Sequence, residues 1–227
     1  MEELTNDNID DELNEPDLNT NLQVFDWLFP IKGYDCNDNF KDGGTGFLIN
    51  NDGVFVTAAH NLLNRNLKYV AIKNDEDLEF SICFIEYVDR KYRDNICCKD
   101  LAICKIKKSI DLIPMLKFKE FQHIKVKIRG FKRDPQQFGL TYITFGKLYL
   151  HEYCFDSFKE TSNTSSNYDK SKNVASLELN PGKEYHGLSG GPVFDENNIY
   201  GMLIGKDYIL SNYIISKLNE LGISYDK

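Results

Sequence analysis

The chain has 227 residues, 41% of them hydrophobic and 13% aromatic, with a net charge of −8. This is enough apolar material for one domain or two small ones. Eight of its 35 acids fall in residues 1–20, which hold no Lys or Arg; the remaining 27 acids and 27 bases leave a neutral body, and the lack of a basic stripe argues against nucleic-acid binding. No stretch free of Asp, Glu, Lys and Arg is longer than residues 53–64, well short of the ~18 apolar residues of a membrane-spanning helix.

Residues 1–22 are acidic, rich in Asn and without apolar periodicity, and read as a disordered tail. They carry neither the basic start nor the apolar stretch of a secretory signal. Strand signals begin near Val24. Gly46-Phe47-Leu48-Ile49 and Val54-Phe55-Val56-Thr57 flank the turn Asn50-Asn51-Asp52-Gly53. Asp-Gly between aromatic and β-branched runs predicts a hairpin. The second run continues into Ala58-Ala59-His60, which sets a histidine at the end of an apolar strand.

Further strand-like runs lie at 68–73, 78–88 and 100–106. The last opens on an aspartate, in Lys99-Asp100-Leu101-Ala102-Ile103-Cys104-Lys105-Ile106. A connector with Pro114 leads to a second set of runs at 124–131, 140–151, 174–179, 192–194 and 199–205. Residues 157–173 are polar and read as an exposed loop; within them Asn163-Thr164-Ser165 matches a glycosylation acceptor, a pattern common by chance. The strand at 192–194 is entered through Tyr185-His186-Gly187-Leu188-Ser189-Gly190-Gly191-Pro192-Val193. Residues 216–221, stopped by Gly222, predict a short helix.

His60, Asp100 and Ser189 follow one another at separations of 40 and 89 residues. A serine hydroxyl is a poor nucleophile at neutral pH and needs a base, which in turn needs a group to hold its tautomer. Singly, each residue is ordinary: an isolated buried histidine is usually structural, and His123, His151 and His186 are left to that role. An aspartate before an alternating strand is commonplace, and a glycine-flanked serine is often only a loop. Together, in this order and in these strand contexts, they fit nucleophilic catalysis. The glycines have a use of their own, since a tight turn before Ser189 aims the amides of Gly187 and Ser189 at one point, as an oxyanion hole requires.

On these residues the chain resembles the trypsin/chymotrypsin-fold serine proteases, and among them the compact intracellular bacterial type, over roughly residues 25–221. The order His, Asp, Ser is that of this family and differs from the orders in subtilisins and α/β-hydrolases. The resemblance implies an all-β fold of two antiparallel six-stranded β-barrels with a short C-terminal helix. The barrels would span about 23–112 and about 113–227, behind a tail at 1–22. It implies a serine endopeptidase working through an acyl-enzyme, with His60 as general base and acid, Asp100 as its orienting partner and Ser189 as nucleophile. It also implies a substrate pocket built by Lys183, Leu203, Ile204, Gly205 and Lys206, and it implies no cofactor and no metal. The partners expected are a protein or peptide substrate and a regulatory or sensor protein, with no nucleic acid and no membrane.

Four positions depart from patterns seen in the family. Leu188 stands where digestive enzymes place the aspartate that receives a freed N-terminus, so zymogen clipping of that kind is not expected. Ile204 stands near a position where many relatives carry a serine that helps bind the triad aspartate. Lys183, six residues before Ser189, aligns with the pocket floor where trypsins place aspartate, with Glu184 one step away. Asn61 follows the histidine where secreted relatives have cysteine. The six cysteines (Cys36, Cys83, Cys97, Cys98, Cys104, Cys154) form no family disulfide pattern and no metal-site spacing. A reducing, cytoplasmic setting is the expectation. Two other readings stay open: a pseudoprotease that keeps the fold as a binding module, and an acyl hydrolase on the same fold.

Overall fold

Asn50 and Gly53 turn the chain back between the first two apolar runs. Asn50 Oδ1 accepts the amides of Asp52 and Val54, both at 3.1 Å, and Gly53 takes a left-handed φ of 80°, a conformation that costs glycine least. The turn joins β2 (Phe40–Leu48) to β3 (Val54–Ala58), with Phe47 opposite Val56. The computed structural model describes residues 26–73, 76–88, 99–110, 116–120, 126–132, 149–155, 174–176, 187–205 and 207–225.

Around this hairpin lie β1 (Leu28–Tyr34), β4 (Lys68–Lys73), β5 (Glu76–Leu78), β6 (Phe80–Tyr87) and β7 (Asp100–Ile106). They form an N-terminal sheet in the order β5-β4-β1-β2-β3-β7-β6. One register matters most for function. β3 runs antiparallel to β7, from Val54 opposite Lys105 to Ala58 opposite Leu101. The end of β3, and the 3-10 turn Ala59–Leu62 that follows it, therefore arrive beside Asp100 at the start of β7.

The C-terminal sheet contains β8 (Lys117–Phe118), β9 (Val126–Lys132), β10 (Tyr149–Phe155), β11 (Val174–Ser176), β12 (Pro192–Phe194), β13 (Asn198–Ile204) and β14 (Asp207–Leu210). Its order is β10-β9-β12-β13-β14-β11, with β8 paired to β13. Helix α1 (Ser211–Glu220) follows. Gly222, at φ 67°, closes the helix by donating to Asn219 O (3.1 Å), while the Ile223 amide donates to Leu218 O (2.9 Å). These two bonds satisfy carbonyls that a helix end otherwise leaves without partners.

The expectation of two antiparallel six-stranded barrels is corrected. Among the described residues each sheet has seven strands, neither order returns to its first strand, and β8 runs parallel to β13. In the N-terminal sheet the two edges meet at a local corner, but among the described residues no ladder of hydrogen bonds joins them. The edge strands β5 and β6 are consecutive, with Glu79 alone between them, and a hairpin needs about two loop residues. The chain turns a corner instead, so β5 pairs with β4 and β6 with β7. The single strand predicted over 78–88 is split at this corner, where Glu79 O accepts the Lys107 amide (2.9 Å). β8 and β14 were not predicted at all. The acidic tail, the strand residues 140–148 and 177–179, and the polar loop with its Asn-Thr-Ser match lie outside the described residues.

One apolar cluster draws on both sheets. Phe55, fully buried, meets Phe29 and Phe80 edge-on at 5.1 and 5.0 Å. Trp27 bridges the halves, edge-on to Phe47 of β2 at 6.5 Å and to Phe194 of β12 at 5.9 Å. Such pairs prefer the tilted geometry because ring edges are positive and ring faces negative. Ile214 and Leu218 of α1 are also fully buried in this cluster.

Candidate active site

The 3-10 turn at the end of β3 presents His60, and Asp100 grips it at two points. The His60 amide donates to Asp100 Oδ1 (2.9 Å), and Nδ1 meets Oδ2 at 2.8 Å. A carboxylate offers only acceptors, so Nδ1 carries the proton and the neutral ring keeps Nε2 as its acceptor. The Asp100 side chain is 1% exposed, whereas that of His60 is 32% exposed. The ring is thus anchored on its buried side and open on the other.

Ser189 is buried to 9% exposure and sits in the turn before β12. Two glycines shape that turn, Gly187 at φ 91° and Gly190 at φ 88°. At Gly190 a Cβ would also come within 2.0 Å of Thr45 O, and at Gly191 within 2.3 Å of Arg129 O. The loop is laced to β13 by Gly190 N to Leu203 O (2.8 Å) and Leu203 N to Gly191 O (2.9 Å). Thr45 Oγ1 donates to Gly187 O (3.0 Å) and accepts the Phe131 amide (2.9 Å). Among the described residues, the amides of Gly187 and Ser189 donate to no carbonyl.

Ser189 reaches the histidine's turn through its backbone. Its carbonyl accepts the Thr45 amide (3.0 Å) and Nδ2 of Asn61 (2.9 Å), the residue after His60. Among the described residues no hydrogen bond joins Ser189 Oγ to the His60 ring. Catalytic hydrogen bonds are often long without substrate and tighten on binding.

A family model described as a trypsin-like peptidase domain matches residues 44–205, from the glycine before Thr45 through β13. The chain belongs to the trypsin-like peptidase family. Among solved structures it is similar to the Rv3671c protease in its inactive form, at 14% identity and a TM-score of 0.52, covering 87% of this chain and 89% of that one. It is likewise similar to Rv3671c of M. tuberculosis H37Rv as an inactive serine-to-alanine mutant, at 18% identity and a TM-score of 0.54, covering 87% and 88%. Identities this low establish likeness of fold. No curated protein matches the chain in sequence.

Within this trypsin-like domain the sequence-predicted residues are placed unevenly. His60 and Asp100 are bonded to each other, and Ser189 lies one residue from them through Asn61. Leu203 and Ile204 are fully buried in β13, and Gly205 follows at φ 87°. Lys183, Glu184, His186, Lys206 and His123 lie outside the described residues, as do Cys97, Cys98 and the side chains of His151 and Cys154. Cys36, Cys83 and Cys104 are free thiols; burial pushes the Cys104 thiol well above its usual range. Among the described residues no cluster of His, Cys, Asp and Glu has the geometry to hold a metal, and no helix is long and apolar enough to cross a membrane.

Sequence reasoning missed Thr45, Thr57 and Asn61, which surround the serine turn. The available signal was polarity out of place. Thr45 and Thr57 are fully buried in otherwise small or apolar strand segments, and Asn61 is 3% exposed. Buried polar side chains need partners, and these three find them in each other and in the Ser189 loop.

Proposed function

We propose that this trypsin-like domain is a serine endopeptidase that cleaves protein substrates through an acyl-enzyme, with His60, Asp100 and Ser189 as its triad. The observation that carries the reading is the two-point grip of Asp100 on His60 (2.9 and 2.8 Å). A buried histidine in a structural role has no need for its outer nitrogen to stay open, whereas a general base does. In the proposed reaction Nε2 takes the proton of Ser189 Oγ as that oxygen bonds to the scissile carbonyl carbon. The resulting oxyanion is held by the amides of Gly187 and Ser189. His60 then returns the proton to the departing amine as the C–N bond breaks. Water repeats the cycle on the ester, freeing the acid and restoring Ser189. Asp100 holds the tautomer and stabilises the imidazolium.

The proposal includes a substrate pocket. Lys183 and Lys206, with Leu203, Ile204 and Gly205, would form it, and two ammonium groups there disfavour a buried Lys or Arg of the substrate. An acidic or mid-sized apolar residue before the scissile bond is the expectation. A cytoplasmic setting, a tail at 1–22 ahead of the protease domain, and a regulatory or sensor partner complete the reading. They rest on composition, on cysteine placement and on the family likeness.

A serine-directed fluorophosphonate tests the core of it. The full chain should be labelled at Ser189, and Ser189→Ala should not. His60→Ala should lower kcat by several orders of magnitude, toward the ~10⁶ lost when triad members of such enzymes are removed. An unlabelled wild-type chain would instead favour a binding module. A labelled chain that cleaves esters but no bond in a peptide library would be an acyl hydrolase.

A further inference from the structure

The triad reading leaves one question open: what holds the nucleophile in register with its base, when the two lie on different sheets? We infer that Asn61 is a positioning residue for Ser189, locking the serine's backbone to the turn that carries His60. This rests on the proposed serine chemistry and deepens it.

Both hydrogens of the Asn61 amide have a partner. Nδ2 donates to Ser189 O at 2.9 Å and to Thr57 Oγ1 at 3.0 Å. The Ser189 carbonyl can only accept, so the nitrogen must face it, which settles the amide's orientation. Thr57 Oγ1 in turn donates to Thr45 O (2.7 Å), and the Thr45 amide donates to Ser189 O (3.0 Å). The four residues Asn61, Ser189, Thr45 and Thr57 thus close a ring of hydrogen bonds in which every donor has an acceptor. All four are buried, so water does not compete for these bonds, and the ring is stronger than the same contacts at a surface.

The ring acts on the reacting atom through geometry. Holding the Ser189 carbonyl, together with the Gly190 amide on Leu203 O, restrains the peptide plane between Ser189 and Gly190 and so the position of the Cα from which Oγ projects. Asn61 is one residue from His60 within a four-residue turn, and Asp100 bonds the same turn through the His60 amide. Aspartate, histidine and serine are therefore all referred to one short piece of backbone. Thr45 supplies a second bond to the same carbonyl, but from its main chain; Asn61 supplies the side-chain link to the base. Space confirms the fit: a Cβ on Gly44 would lie 2.1 Å from Asn61 Nδ2, so that glycine leaves room for the asparagine.

The test uses the full chain and the rate of fluorophosphonate labelling, with kcat and KM on a cleaved peptide and with thermal midpoints. Asn61→Ala should label about 10- to 100-fold more slowly, the size expected when a reacting group shifts by a fraction of an ångström. KM should stay within about threefold and the pH dependence should keep its wild-type shape, because the Asp100–His60 bonds are untouched. Gly44→Ala/Asn61→Ala refills the vacated space without the hydrogen bond, so it should regain thermal stability but not labelling rate. Asn61→Asp keeps shape but sets an oxygen against the Ser189 carbonyl, and should be slow while folded. If Asn61→Ala labels within twofold of wild type, or the double variant recovers the full rate, Asn61 is only packing and the inference falls. An unlabelled wild-type chain would overturn the serine-protease reading itself, a result distinct from either.

Discussion

The two sheets contribute to the site by different means. The N-terminal sheet carries Asp100 at the start of β7 and His60 on the turn that ends the neighbouring strand β3, the two strands being paired over five consecutive positions. Its half of the site is a direct consequence of register. The C-terminal sheet holds Ser189 on a turn before β12, a strand of only three residues. That turn owes much of its definition to groups of the other sheet: Thr45 from β2 and Asn61 after β3. In the proposed triad the base is built in, whereas the nucleophile is set from outside. A catalytic constellation split across two sheets needs such cross-links, because neither half alone fixes the separation of the reacting atoms.

The comparison is broken most sharply at Asp100. Its two oxygens serve two donors, the His60 amide and Nδ1. Asparagine offers one acceptor oxygen and must meet the second donor with an N–H. Asp100→Asn should leave the ladder of β3 on β7 intact while lowering kcat by about 10⁴, as wrong-tautomer variants do in this fold. Steady-state kinetics with a cleaved peptide would decide it, and near-normal turnover would mean that the N-terminal half does not set the base.

Phe55 tests whether the nucleophile depends on the N-terminal sheet as a whole. It is fully buried between Phe29 and Phe80, and Phe55→Ala should cost about 3–5 kcal/mol in urea unfolding. Its strand carries Thr57 two residues on, so the protein that stays folded should also label more slowly at Ser189. Lost stability with an unchanged labelling rate would show that the serine turn is set within its own sheet.

The smallest effect lies at the far end of the C-terminal sheet. Tyr200 donates to Asp195 Oδ2 at 2.6 Å. Burial opposes ionisation of Asp195, but the Tyr200 hydroxyl and the amides of Asn197 and Asn198 together hold its carboxyl below the usual range. Burial, with Asp195 as acceptor, pushes Tyr200 up to about 12. Tyr200→Phe should cost about 1 kcal/mol at neutral pH and leave labelling of Ser189 unchanged. A depressed carboxyl contributes stability that is complete above its unfolded value of about 3.9 and is lost as pH falls through the lower folded value. The raised tyrosine contributes below its unfolded value of about 10 and ceases to as pH rises through about 12. The advantage of wild type over the variant should therefore shrink at both extremes. A gap that persists in acid would assign the loss to packing.

The same division explains what the sequence could tell. The Asn50–Gly53 turn, the histidine ending an apolar strand, the aspartate opening another and the glycine-flanked serine are local signals. The structure sets the first three in one sheet. The corner at Glu79 was illegible, because apolar residues continue on both sides of it and only pairing to different neighbours reveals the break. β14 was missed because its four residues look like the approach to a helix. Asn61 was noticed only as an absent cysteine. Its partner Ser189 is 128 residues away, and hydrogen bonds between distant polar groups leave no period in a sequence.

Trp27 is the single tryptophan of the chain, and it is buried where the two sheets meet, against Phe47 and Phe194. Its indole is consequently a built-in fluorophore at the seam. Emission at short wavelength reports the halves closed on each other, and a shift to the red reports water entering between them. No dye or label is needed to watch the seam part during unfolding, on substrate binding, or when the ring around Ser189 is cut.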